Sequence, residues 1–149
     1  MTPDDLLAQE RELVFDAFDH DAAWALGERL RRVARERELP VAIDVTLGEQ
    51  QVFHAALPGS AADNDAWIAR KVRVVRRFGH SSFYLGQLHG DAFADRFLLD
   101  PREFAAHGGC FPILVRGTGM VGTVTVSGLA QADDHRLVTE VLRDVLARS

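Results

Sequence analysis

The chain has 149 residues, enough for one domain, 1–149, with a sizeable core. Its 47% hydrophobic and 26% charged content is that of a soluble globular protein, and a net charge of −5 argues against nucleic acid as the main partner. No apolar run nears the roughly 20 residues that span a bilayer, no signal-peptide pattern opens the chain, and the one cysteine, Cys110, excludes an internal disulfide, so a cytoplasmic setting is expected.

Thr2-Pro3-Asp4-Asp5 reads as a helix start: a cap, proline at the first position and acids in the first turn. Leu6, Leu7 and Leu13 are the apolar contacts of this short helix. Val14 to Phe18 reads as an extended connector anchored by its aromatics. A longer helix is expected from Asp19 to Glu38, capped by Asp19 or Asp21, with Trp24, Leu26, Leu30, Val33 and Ala34 inward and Pro40 ending it. Val41–Thr46 and Gln51–Leu57 read as strands joined through Gly48. Asp44 and His54 lie within them and are read as surface or satisfied polar residues.

Asp63 or Asn64 should cap the next helix, whose Trp67, Ile68, Val72, Val75 and Phe78 face inward. Arg70, Lys71, Arg73, Arg76 and Arg77 would form its outer, cationic face, either paired with a neighbour's acids or receiving a carboxylate or phosphate. Gly79-His80 interrupts the helix, and Ser81 or Ser82 can cap a short one reaching about Leu88. Asp91 to Ala106 is a partly helical connector pinned by Phe93, Phe97, Leu98 and Phe104.

The last forty residues hold the clearest pattern. Phe111 to Val115 and Val121 to Val126 are β-forming runs joined by Gly117-Thr118-Gly119, which predicts a hairpin. A closing helix follows, capped by Asp133 or Asp134, with Leu137, Val138, Val141, Leu142, Val145 and Leu146 on one stripe. Gly117, Gly119 and Gly122 match the dinucleotide-binding spacing G-x-G-x-x-G. That chemistry needs a helix N-terminus at the pyrophosphate, whereas Thr123-Val124-Thr125-Val126 favours a strand. No nucleophile elbow surrounds Ser127, because Thr125 stands where its first glycine belongs.

The motifs Asn64-Asp65-x-Trp67-Ile68-x-Arg70-Lys71, Ser81-Ser82, His107-Gly108-Gly109-x-Phe111-Pro112-Ile113, Gly119-x-x-Gly122-Thr123-Val124-Thr125-Val126-Ser127-Gly128-Leu129 and Asp134-His135 together resemble the haem-degrading domain family. That family includes GlcG, HbpS and the C-terminal domain of PduO, and the likeness is nearest to a branch catalogued as an uncharacterised protein family. The resemblance implies an α+β, profilin-like (GlcG-like) three-layer α/β/α fold around a five-stranded antiparallel sheet. It also implies homo-oligomers built from dimers, and in some members the binding of haem or a corrinoid.

The candidate ligand-binding residues are His107, Gly108, Gly109 and Cys110, with Arg70, Lys71 and His135 in support. Imidazole and thiolate are both axial ligands for haem iron, and paired glycines let a flat macrocycle approach. The plainer reading makes Cys110 a small buried hydrophobe and bonds His107 to its turn. A zinc site from His107, Cys110 and His135 lacks a fourth ligand, and no metal or catalytic residue is assigned. The first expectation is thus a cytosolic, oligomeric binding module for haem or another planar anionic small molecule. An interaction or scaffold protein is the alternative, and an oxidative haem-degrading enzyme stands third.

Overall fold

The computed structural model describes residues 1–149. Helix α1, Pro3–Glu12, starts as expected: Thr2 accepts from the Asp5 N–H, and the Asp5 carboxylate accepts from the Thr2 N–H. Strand β1 is only Val14–Phe15. Helix α2 spans His20–Glu36, capped by Asp19, which accepts from the Ala22 N–H. Strands β2, Ala42–Leu47, and β3, Gln50–Ala56, form the first hairpin.

Helix α3, Ala62–Phe78, begins one residue before the expected caps; Asn64 reaches back to the Ala61 N–H from inside the helix. It ends on Gly79, which takes the left-handed conformation that glycine adopts without Cβ strain. Helix α4, Ser82–His89, is capped by Ser81. A single 3-10 turn leads into α5, Phe93–Phe97. Strands β4, Cys110–Val115, and β5, Gly119–Ser127, make the second hairpin, and α6, Gln131–Ala147, closes the chain.

The five strands lie in the order β1-β4-β5-β2-β3. Four of them pair antiparallel as the sequence suggested, but β1 runs parallel to β4, with Val14 opposite Leu114 and Phe15 opposite Val115. The sheet is therefore mixed, and the expected connector at Val14 is one of its edges.

Side-chain alternation separates the two faces of the sheet. Ile43, Val45, Phe111, Ile113, Val124 and Val126 point toward α2 and α6, where Leu26, Leu30, Leu137, Val138 and Leu142 complete the main core. Ala42, Asp44, Thr46, Cys110, Thr123 and Thr125 point the other way, beneath α3. This face is the more polar one. Helix α3 meets it with Ile68, Val72 and Val75, and α4 and α5 pack beyond, around Val74, Leu85 and Phe93. The result is the three-layer α+β arrangement.

Three burial assignments change: Leu98, expected to help pin the connector, is 92% exposed, just past the end of α5. Trp24 is 53% exposed and sets its ring edge-on to Phe53, because it lies just off the stripe of Ala23, Leu26, Gly27, Leu30 and Ala34 that meets the sheet. Lys71, read as part of the outer cationic face, is buried at 2% exposure. Its position is three residues past Ile68 and four before Val75, so the helix turns it inward with them.

Candidate functional site

Three segments of chain meet at the start of α6. The first is the N-terminal half of α3, the second the loop His107 to Gly109, and the third the turn from Ser127 to Gln131. Between them opens a cleft of about 440 Å3, bordered by Asn64, Trp67, Lys71, His107, Gln131 and Asp134. Its size falls within the roughly 300–1,000 Å3 of small-molecule sites.

An ion pair forms its base. Lys71 Nζ lies 3.2 Å from Asp134 Oδ2 and donates also to the Val126 carbonyl at 3.1 Å. The other oxygen of Asp134 accepts from the Leu129 N–H at 2.9 Å. Asp134 was expected as the cap of the last helix, yet it sits inside α6, which begins at Gln131 behind Ala130. From there its carboxylate folds back over the preceding turn and crosses to α3. Burial pushes the Lys71 ammonium down and the Asp134 carboxyl up from their usual values, and each charge partly restores the other. The hydrogen bonds to the Val126 carbonyl and from the Leu129 N–H add to the mutual attraction that favours the charged forms.

The glycine pair allows the close approach. Gly109 has φ 137°, and a Cβ there would run into the Val126 carbonyl and the Lys71 ammonium. The Gly109 carbonyl accepts from the Val126 N–H at 3.0 Å. Gly108 donates its N–H to Gln131 Oε1 at 3.0 Å, and a side chain there would strike the Gln131 backbone and Phe83. These contacts seat the loop against the start of α6.

His107 is exposed and leans on Trp67, with ring centroids 5.1 Å apart. Partial burial and then the cations of Lys71 and Arg70 hold its imidazole below the usual histidine range, so it is unprotonated at neutral pH. Arg70 covers the Trp67 ring at 3.9 Å and donates to the Pro101 carbonyl at 3.0 Å. It flanks the mouth of the cleft, where Lys71 lies at its base.

Cys110 and His135 are elsewhere. Cys110 has no exposed surface, packs with Ala42, Ile68, Val72 and Val75 beneath α3, and exchanges backbone hydrogen bonds with the Ser82 hydroxyl. Burial pushes its thiol up to about 12, which keeps it a thiol and a poor metal donor. His135 faces the junction of α6 with α1 and α4. Its Nε2 meets Gln9 Oε1 at 2.8 Å, and its ring packs against Phe83 and Phe111. His107, Cys110 and His135 thus do not converge, and no cluster of three or more His, Cys, Asp or Glu side chains could hold a metal ion.

Of the seven candidates, the structure gathers His107 and Lys71 at the cleft, buries Gly108 and Gly109 in the loop behind it and puts Arg70 at its edge. Asn64, Ser127 and Gln131 were not singled out as lining residues, since nothing in their local sequence distinguishes them from ordinary turn and cap residues.

A family model described as haem degrading protein HbpS-like matches residues 18–143. A UPF0303 protein of Streptomyces coelicolor is 59% identical over 141 residues, covering 93% of this chain and 89% of its own. The crystal structure of the Ybr137w protein superposes with a TM-score of 0.91 at 35% identity, over 99% of this chain and 90% of that one. Crystal structures of HbpS and of a PduOC–haem complex superpose with TM-scores of 0.67 and 0.66, each over 87% of this chain and over 89% and 94% of theirs. At 15% and 13% identity these two establish the shared fold alone. The chain belongs to the HbpS-like family of haem-degrading proteins.

Proposed function

We propose that the cleft beside His107 binds a planar anionic small molecule, with haem the first candidate, and that the protein is a cytoplasmic binding module rather than an enzyme. The carrying observation is the His107 imidazole, unprotonated and exposed at the cleft. Its donor chemistry fits haem iron, to which a neutral imidazole is a common axial ligand. Trp67 borders the cleft beside it, and Arg70, stacked over that ring, brings a cation for a ligand's carboxylates. Family membership and the haem named in the PduOC complex support the choice of ligand. Haem bound there would supply redox and gas-binding chemistry; the chain's part is to hold and orient it.

Titrating the purified protein with haemin is the test. A Soret shift should saturate near one equivalent, weaken at least tenfold in His107→Ala, and stay unchanged in Cys110→Ala because that sulfur is sealed off. An unsaturable spectrum indifferent to His107→Ala would overturn the reading. Bleaching of bound haem by ascorbate under air would instead mark the oxidative enzyme.

A second reading, an interaction protein acting as a homo-oligomer, is favoured by the apolar side chains left at the surface. Leu98 is 92% exposed, Trp24 53% and Leu88 48%. Native mass measured at micromolar concentration decides it: a monomer excludes this reading.

A further inference from the structure

On the other flank of α3, a second cavity of about 490 Å3 opens between that helix and the β2–β3 hairpin. Its floor is Asp44, a carboxylate 3% exposed on β2, one strand in from the edge of the sheet. Only one hydrogen bond reaches it, from Gln51 Nε2 to Oδ1 at 2.5 Å. No arginine or lysine lies within ion-pairing distance. Oδ2 has no hydrogen-bond partner and keeps some exposure to the cavity.

Burial raises the Asp44 carboxyl above its usual value, and the nearby His54 and Arg76 offset that only in part. Across the sheet it stands opposite Thr125 on β5 and His54 on β3. His54 makes its own bond to Asp65, at 2.7 Å, within the same cavity. A carboxylate shielded from water and held by one neutral donor is disfavoured unless a cation meets it. This fold tolerates such a group at the bottom of a cavity wide enough for a small molecule.

Above this floor the lining is mixed in charge, with Arg73 and Arg76 on α3 beside the carboxylates Glu49 and Asp65. Arg76 donates one N–H to the Gly48 carbonyl and Arg73 one to the Glu103 carbonyl, which leaves other donors of both guanidinium groups available. Ile68 and Val72 of α3 form an apolar wall between floor and mouth.

We propose that this cavity binds a small zwitterion of the basic amino-acid class, its side-chain cation on Asp44 and its carboxylate on Arg73 and Arg76. The apolar wall takes the methylene stem. Recognition at both ends excludes plain amines, which lack the anionic end, and acidic amino acids, which bring a second negative charge to Asp44.

Thermal shift and calorimetric titration with L-arginine, L-lysine and L-ornithine, alongside agmatine, cadaverine, putrescine and L-glutamate, test the assignment. At least one basic amino acid should bind saturably, with its decarboxylated counterpart at least tenfold weaker and glutamate silent. Asp44→Asn should abolish that binding yet leave the unliganded melting temperature equal or higher, because the Gln51 bond survives and the uncompensated charge is gone. Arg76→Gln should weaken the amino acid at least tenfold without weakening the amine. Haemin titration of Asp44→Asn should match wild type, which separates this site from the His107 cleft. The proposal fails if no basic amino acid binds saturably, if amine and amino acid bind equally, or if Asp44→Asn retains the affinity.

Discussion

Lys71 and Asp134 show how one buried pair can fix a site's geometry. Each is almost fully enclosed, and each would be an isolated buried charge without the other. Lys71→Met should therefore lower stability by about 3–5 kcal/mol in chemical denaturation, the usual cost of leaving such a charge uncompensated. Asp134→Asn in the same chain should recover part of that loss, because the amide oxygen still accepts from the Leu129 N–H while the stranded charge is removed. If the double variant loses as much as the two single changes added together, the residues act independently. The signal for Lys71 was present in the sequence, as a cation within the stripe of Ile68, Val72 and Val75. Its partner could not be read, because Asp134 looks like an ordinary cap and the contact spans 63 residues of chain.

At the level of elements, local chemistry made most boundaries legible. The Thr2 capping box, the Gly79 stop and the two hairpins all rest on contacts within a few residues, and all appear where composition and spacing put them. Strand β1 was missed for the opposite reason. Two residues carry no periodicity, and what makes them a strand is a partner far along the chain. The packing of α2 on β3 gives a test in which two effects compete. Gly27→Ala improves helix propensity by about 1 kcal/mol. Yet the added methyl would collide with the Phe53 ring, which ordinarily costs about 1–3 kcal/mol in a tight core. The collision should win, and the variant should melt lower than wild type. A higher melting temperature would mean that α2 can lift away from the sheet without loss.

Over the whole molecule, buried titratable groups pull stability in opposing directions as pH changes. His135 is held down to about 4 by burial, from 6.5. Above 6.5 it is neutral in both states, so its place in the fold costs nothing in protonation. Below 6.5 the unfolded chain takes up the proton first, and stability falls as pH drops toward 4. That difference amounts to about 3 kcal/mol. Glu10, Asp44 and Asp134, raised mainly by burial, act oppositely: the folded state binds their protons more readily, so acidification favours it. His135→Gln should remove the first effect and leave the second. Denaturation curves between pH 6.5 and 4 should then show the variant gaining on wild type as pH falls; parallel curves would mean His135 is protonated within the fold.

The parallel contact of β1 with β4 has one more consequence. Val14 and Phe15 leave the ribosome about a hundred residues before the strand that receives them. Strand β1 therefore has no partner until the second hairpin has been made, although α1 also rests on α4 and α6. The pairing of this edge must wait for the end of the chain that is synthesised last. Pulse-labelled amide exchange during refolding should find the Arg116 N–H, which bonds to the Phe15 carbonyl, among the last to be protected.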